Sequence, residues 1–137
     1  MALAPKPDFK AIEAKWQKYW LDNKTYKFDP NSKKKVFAID TPPPYISGEL
    51  HMGHGVSYTG FEFIARYKRM TNHNVFFPIG FDDNGQPTER FVEKKYKIKA
   101  SETPRDKFIE LCLKETEAIT KIAKEQLTRL GHSYDWD

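Results

Sequence analysis

His51 and His54 stand three residues apart with Gly53 between them, directly after the stretch Thr41-Pro42-Pro43-Pro44-Tyr45-Ile46-Ser47-Gly48-Glu49-Leu50. On a helix, residues at this spacing share a face. Imidazoles on a first helical turn can meet phosphate oxygens together with the helix's unpaired N–H groups and the positive end of its dipole. They can donate hydrogen bonds to phosphate and stabilise charge that develops during phosphoryl or nucleotidyl transfer. Gly53 has no Cβ, so a flat base or a phosphate can come close to the backbone there. Spacing alone leaves two other roles open for the pair, as metal ligands or as a plain helix cap. No third protein ligand for a metal is evident.

A second segment, Gly80-Phe81-Asp82-Asp83-Asn84-Gly85-Gln86-Pro87-Thr88-Glu89-Arg90, carries an acidic pair that could hold an ammonium group or Mg²⁺. The same Asp-Asp-Asn-Gly string is also good turn chemistry. Two such loops at one edge of a sheet would mean more than either alone.

The elements that must bring them there are legible from periodicity. Asp8 reads as an N-cap, followed by Phe9, Ile12, Trp16, Tyr19 and Trp20 at helical spacing, which predicts a helix over 8–22. Residues 23–34 are polar and contain Pro30, so they read as a connection. Val36-Phe37-Ala38-Ile39 is a short apolar run, read as a buried strand. Pro42-Pro43-Pro44 must end it, because proline removes backbone donors and restricts the residue before it. From Met52 to Thr71 the pattern is helical, with Val56, Phe63, Ile64, Tyr67 and Met70 as its apolar face and Arg66, Lys68 and Arg69 near its C-terminus. Val75-Phe76-Phe77-Pro78-Ile79 reads as a second strand, so strand, helix and strand form a right-handed βαβ unit with parallel strands. A helix is expected over 87–96, with Pro87 in its first turn. The last helix is expected over 104–130, with Thr103 as its cap, Pro104 in its first turn and Gly131 at C′. Phe108, Leu111, Ile119, Ile122, Leu127 and Leu130 mark its apolar face. The architecture is α/β: the first half of a doubly wound, Rossmann-like nucleotide-binding fold preceded by an N-terminal helix, with an exposed strand edge open to association. The division expected is residues 1–34 as helix and connection, and residues 35–137 as the nucleotide-binding half.

Composition bounds the rest. The chain has 137 residues, 39% hydrophobic and 31% charged, with a net charge of +4, which suits a folded domain with a mild bias toward polyanions. Lys33-Lys34-Lys35 reads as a solvated edge before the first strand. Cys112 is the one cysteine, so no internal disulfide forms, and it reads as a packed, inert thiol in a reducing compartment. The N-terminus lacks the apolar core of a signal peptide, and no apolar run approaches the roughly 20 residues that span a bilayer. The expected location is the cytoplasm, with no membrane partner.

His51-Met52-Gly53-His54 resembles the first signature of class I aminoacyl-tRNA synthetases, His-x-Gly-His. Pro42-Pro43-Pro44, Ser47-Gly48, Leu50, Arg66-Tyr67-Lys68-Arg69-Met70 and Gly80-Phe81-Asp82 narrow the resemblance to the valyl, isoleucyl and leucyl group. The loop from Gly80 to Arg90 looks most like the archaeal-type valyl branch. The likeness runs from Trp16-Gln17-Lys18-Tyr19-Trp20 to Leu130-Gly131-His132-Ser133-Tyr134-Asp135-Trp136. It implies that His51 and His54 contact the ATP phosphates and stabilise the transition state of adenylation. It implies that Gly53 lets the adenine pack on the helix start, with Thr41 also on the ATP side. Asp82 would hold the α-ammonium of the amino acid, and Pro42 and Tyr45 would border its side chain. Tyr45 departs from the Asn common in valyl enzymes toward the isoleucyl pattern. The implied reaction turns valine and ATP, with Mg²⁺, into valyl-adenylate and pyrophosphate, and then passes the valyl group to tRNA(Val). The second signature of the class, Lys-Met-Ser-Lys-Ser, is absent from the string, so the expectation is an N-terminal part of a synthetase catalytic domain. The alternatives are a non-catalytic ATP-binding or docking half of a split synthetase, and isoleucyl or leucyl specificity.

Overall fold

A computed structural model of the chain describes residues 6–45, 47–83 and 85–136. Ile46, Asn84, Asp137 and residues 1–5 lie outside it, so the centre of the expected Asp-Asp-Asn-Gly turn is not described. The element order is α1 (Phe9–Asp22), β1 (Val36–Ala38), α2 (Met52–Met70), β2 (Asn74–Phe76), α3 (Gln86–Tyr96), a 3₁₀ turn (Ala100–Glu102) and α4 (Arg105–Arg129). β1 and β2 pair in parallel, Val36 opposite Asn74 and Ala38 opposite Phe76, and α2 is the crossover between them.

Pairing continues beyond the assigned strands. The Ile39 N–H donates to the Phe76 carbonyl at 2.9 Å, and the Asp135 N–H donates to the Phe77 carbonyl at 2.9 Å. Successive carbonyls of a strand point to opposite edges. Residues 76 and 77 therefore serve neighbours on either side, and β2 is central. The segment at Asp135 lies parallel to it, bridged at Pro78. Sequence periodicity gives no sign of this third line, because its aromatic-polar string is too short to show a period.

The core lies where α2, the end of α4 and the segment at Tyr134 meet the sheet. Ile39, Tyr58, Ala65, Val75, Phe77, Leu127 and Tyr134 form it. α2 does not bury the face that apolar spacing predicts. Val56, Phe63, Ile64, Tyr67 and Met70 are all exposed, whereas Tyr58, Glu62 and Ala65 are buried. The reason is a polar tie. The Ser133 N–H and hydroxyl donate to Glu62 Oε2 at 2.8 and 2.9 Å, and Arg66 donates through Nε to Glu62 Oε1 at 2.6 Å and through Nη2 to the Gly131 carbonyl at 2.7 Å. Arg69 closes the ring by donating to the hydroxyl and carbonyl of Ser133. A fully bonded buried carboxylate rotates the helix by more than hydrophobic periodicity can resist.

Helix ends follow local chemistry, with one correction. Asp8 caps α1, its carboxylate accepting from the Ala11 N–H at 3.1 Å. α1 buries no residue, however, and its expected apolar face is largely open. Only Trp20 turns inward, under the guanidinium of Arg66. α4 ends in a Schellman motif. Gly131 takes φ +79°, its N–H donates to the Thr128 carbonyl, and the His132 N–H donates to the Leu127 carbonyl. Thr103 does not cap α4. Pro104 occupies the cap position, and the Thr103 hydroxyl, one residue too early, donates instead to the Lys99 carbonyl and closes the 3₁₀ turn. Along α4, Glu115 and Thr116 are buried while Ile122 and Leu130 are exposed. Lys95 and Tyr96 of α3 donate to the Glu115 carboxylate at 2.5 and 2.6 Å, which again sets a helix face by a polar tie.

Candidate active site

His51 is the N-cap of α2, with extended backbone (φ −110°, ψ 173°). Its Nδ1 accepts from the Gly53 N–H at 3.1 Å, and the His54 Nδ1 accepts from the His51 N–H at 3.2 Å. This is a reciprocal capping box built from two imidazoles in place of the usual hydroxyl and carboxylate. A backbone N–H can only donate, so both Nδ1 atoms are unprotonated and each neutral ring carries its proton on Nε2. The rings lie 4.0 Å apart between centroids, tilted by 36°. The helix start thus offers two fixed imidazole N–H donors beside the positive end of its dipole.

Three contacts hold this pair. Gln126 of α4 accepts through Oε1 from the Leu50 N–H at 3.1 Å, fixing the residue before the cap. Tyr58, one turn after His54 and stacked near it at 6.3 Å, donates its hydroxyl to the Pro42 carbonyl at 2.6 Å. The proline turn is therefore anchored on the same helix as the imidazoles. Neither Gln126 nor Tyr58 is marked by sequence. Tyr58 sits among many aromatics, and a glutamine beside Leu127 has no local signature.

The second loop joins the first. The Asp82 N–H donates to the Pro44 carbonyl at 3.0 Å, and Tyr45 and Asp82 form a parallel bridge. Pro42, Tyr45 and Asp82 thus belong to two loops that are tied together at the carboxyl ends of β1 and β2. Tyr45 is exposed and Asp82 half-buried. Thr41 is half-buried, and its hydroxyl oxygen is enclosed without a hydrogen-bond partner. Farther along the second loop, the Thr88 hydroxyl donates to the Asp83 carbonyl at 3.0 Å. Gly85 caps α3 at φ +88°, in a region that disfavours other residues. Phe81 stacks on Trp136 at 6.3 Å, so the loop rests on the third line of the sheet.

Burial, and then the neighbouring His51, hold the His54 imidazole below its usual pKa of 6.5. Burial also lowers His132, whose Nε2 pairs with the Thr59 hydroxyl at 3.2 Å, with Glu62 opposing and Arg66 adding to the effect. A histidine with a depressed folded pKa binds fewer protons folded than unfolded just below 6.5. Stability is then full above 6.5 and falls as pH drops through the folded pKa. The urea midpoint should therefore decline below pH 6.5, well before carboxylates titrate. A midpoint flat from pH 7.5 to 5.5 would contradict this.

Among the described residues no three His, Cys, Asp or Glu side chains gather to hold a metal, and no helix is long and apolar enough to cross a membrane.

The family model for class I tRNA synthetases (I, L, M and V) matches residues 15–137. The valine–tRNA ligase of Thermoplasma acidophilum is 52% identical over 126 residues, covering 92% of this chain and 16% of that protein. The valine–tRNA ligase of the Wolbachia of Brugia malayi is 51% identical over 134 residues, covering 98% of this chain and 16% of its own length. Among solved structures, LeuRS of Agrobacterium radiobacter, in a ternary complex with tRNA and LeuAMS, superposes with a TM-score of 0.80 at 27% identity, over 96% of this chain and 15% of that one. The chain spans about a sixth of the length of the curated relatives it matches.

Proposed function

The chain belongs to the class I tRNA synthetases of the I, L, M and V group, and we propose from that premise that it is the ATP- and amino-acid-binding part of a valine–tRNA ligase. The observation that carries the reading is the imidazole pair on α2, tied through Tyr58 and Pro42 to the loop that meets Asp82. Valine, not isoleucine or leucine, is favoured by the naming of relatives at 51–52% identity. Residues 35–137 are read as the first half of the nucleotide-binding fold, and residues 1–34 as an N-terminal helix and its connection. The protein works in the cytoplasm, and the full-length enzyme passes the valyl group to tRNA(Val).

In this reading ATP lies over the start of α2. The Nε2–H groups of His51 and His54 donate to its phosphate oxygens, with Gly53 and Thr41 beside them. Asp82 holds the α-ammonium of valine, and Pro42 and Tyr45 border its side chain. A carboxylate oxygen of the amino acid then attacks the α-phosphorus, and the bond to the bridging oxygen of pyrophosphate breaks. The two imidazole donors face the charge that builds on the phosphate oxygens. Donors held in place before the reaction are worth roughly 3–4 kcal/mol each, about 10²–10³ in rate. Imidazole N–H groups suit phosphate oxygens rather than a hard cation, so Mg²⁺ fits as an ion carried on the phosphates of ATP, where it supplies charge neutralisation.

Valine-dependent ATP–pyrophosphate exchange tests the proposal, with the His51→Ala/His54→Ala double variant as control for host synthetase. Weak exchange that still exceeds that of the double variant is the expected result for this chain by itself. Equal rates, together with no binding of ATP, would overturn it. A second reading has its own observation: the stripe Val56, Phe63, Tyr67 and Met70 is open on α2. Exchange that arises only when the remaining part of a full-length relative is added in trans would favour a docking half.

A further inference from the structure

We infer that Gly53 is a positioning residue for His51: the space its absent Cβ leaves is the seat of the imidazole that closes the α2 capping box. The inference rests on the reading of the imidazoles as phosphate donors and deepens it by assigning what aims one of them.

A Cβ built on Gly53 would lie 2.9 Å from Cε1 of His51, closer than real Cβ atoms approach other atoms, and a tight 3.0 Å from its Nδ1. Among the described residues, and apart from the adjoining residues and the helix's own backbone, those two ring atoms are its only neighbours within 4 Å. His51 is exposed, and a ring that moves to make room gives up the contacts that seat it. Its Nδ1 is held by the N–H of Gly53 itself, and its face lies against His54. Backbone freedom does not explain the glycine, because Gly53 lies inside a regular helical turn without a positive φ. Glycine is a poor helix former, so some contact must offset it. Gly55 and Gly60 on the same helix make the contrast, since a Cβ at either meets nothing within 4 Å.

The consequence reaches the donor. With Nδ1 committed to the Gly53 N–H, the proton of His51 stays on Nε2. A methyl at position 53 pushes the ring off its seat. Both the N-cap and the fixed tautomer are then lost. The alternative role for the glycine is to clear a path for the base of ATP. The two roles differ in what they predict for an anion that has no base.

The test is a cycle of Gly53→Ala, His51→Ala and their double variant, with Gly55→Ala as the control for helix propensity. Imidazole tautomers are read by long-range proton–nitrogen spectra, and affinity is read with inorganic tripolyphosphate and with ATP. If Gly53 seats His51, Gly53→Ala moves His51 off the Nε2–H tautomer and weakens tripolyphosphate about tenfold or more, the range for losing one charge-assisted hydrogen bond. It also lowers the melting temperature. In the His51→Ala background the same change leaves tripolyphosphate binding unaltered and raises the melting temperature, as Gly55→Ala does. The inference is overturned if Gly53→Ala spares the His51 tautomer and tripolyphosphate binding while weakening ATP equally in both backgrounds. It is also overturned if Gly53→Ala alone raises the melting temperature as Gly55→Ala does. Should the unaltered chain bind neither anion, the phosphate reading falls, and the tautomer and melting measurements still decide whether Gly53 seats the ring.

Discussion

Replacing Glu62 by alanine is expected to destabilise the chain by about 3 kcal/mol, the low end of the 3–5 kcal/mol for breaking a buried ion pair. The low end applies because the Arg66 side chain is 41% exposed and water recovers part of its charge, whereas Glu62 is only 5% exposed. The loss has several parts. The Ser133 N–H and hydroxyl lose their acceptor inside the core, and Arg66 and Arg69 are left facing each other across an empty site. A domain of this kind has about 5–15 kcal/mol in total, so the variant should sit near its unfolding threshold. Urea unfolding followed by circular dichroism gives the number. A change under about 1 kcal/mol, within the range of an exposed pair, would mean that Glu62 does not organise this corner. Glu62→Gln should fall between the two, since an amide oxygen can still accept from Ser133 but pairs poorly with Arg66. The tie also fastens α2 to the third line of the sheet. Loss of Glu62 should therefore release the Phe81–Trp136 stack and the loop that carries Asp82.

Phe77→Ala should cost about 3–5 kcal/mol, the range for removing a buried aromatic ring from a packed core. Phe77 is fully buried, 4.5 Å from the Tyr134 ring, and its carbonyl accepts from Asp135. The backbone hydrogen bond survives the substitution, so the deficit measures packing alone. Phe77→Leu retains much of the volume and should cost clearly less. Equal losses in the two variants would mean that ring geometry against Tyr134 outweighs volume. Near-ultraviolet circular dichroism should report the change directly, because Phe77, Tyr134 and Trp136 are neighbours. Both variants leave His51 and His54 chemically intact, so a parallel fall in exchange activity would trace to the support beneath the loops.

The imidazole pair, the cap of α1, the parallel strand-helix-strand order and the glycine that ends α4 were all determined by sequence alone. Each rests on interactions within a few residues. Asp8 reaches the N–H three positions on, and Gly131 meets a backbone angle that other residues resist. His51 and His54 meet each other for the same reason, since one helical turn suffices.

Only the tertiary structure decided which face of α2 turns inward, which residues hold the imidazoles, and where the chain from 132 to 136 pairs. Hydropathic spacing favours Val56, Phe63 and Met70, but the buried face follows Glu62, whose partner Ser133 lies 71 residues away. A buried charge is costly by itself and stabilising only when its partners arrive. Gln126 reaching Leu50 and the Tyr58 hydroxyl reaching Pro42 are equally invisible until the chain is folded. Local sequence determined which groups could perform the chemistry. Their aim depends on hydrogen bonds between distant segments, which exist only once the core has brought those segments together.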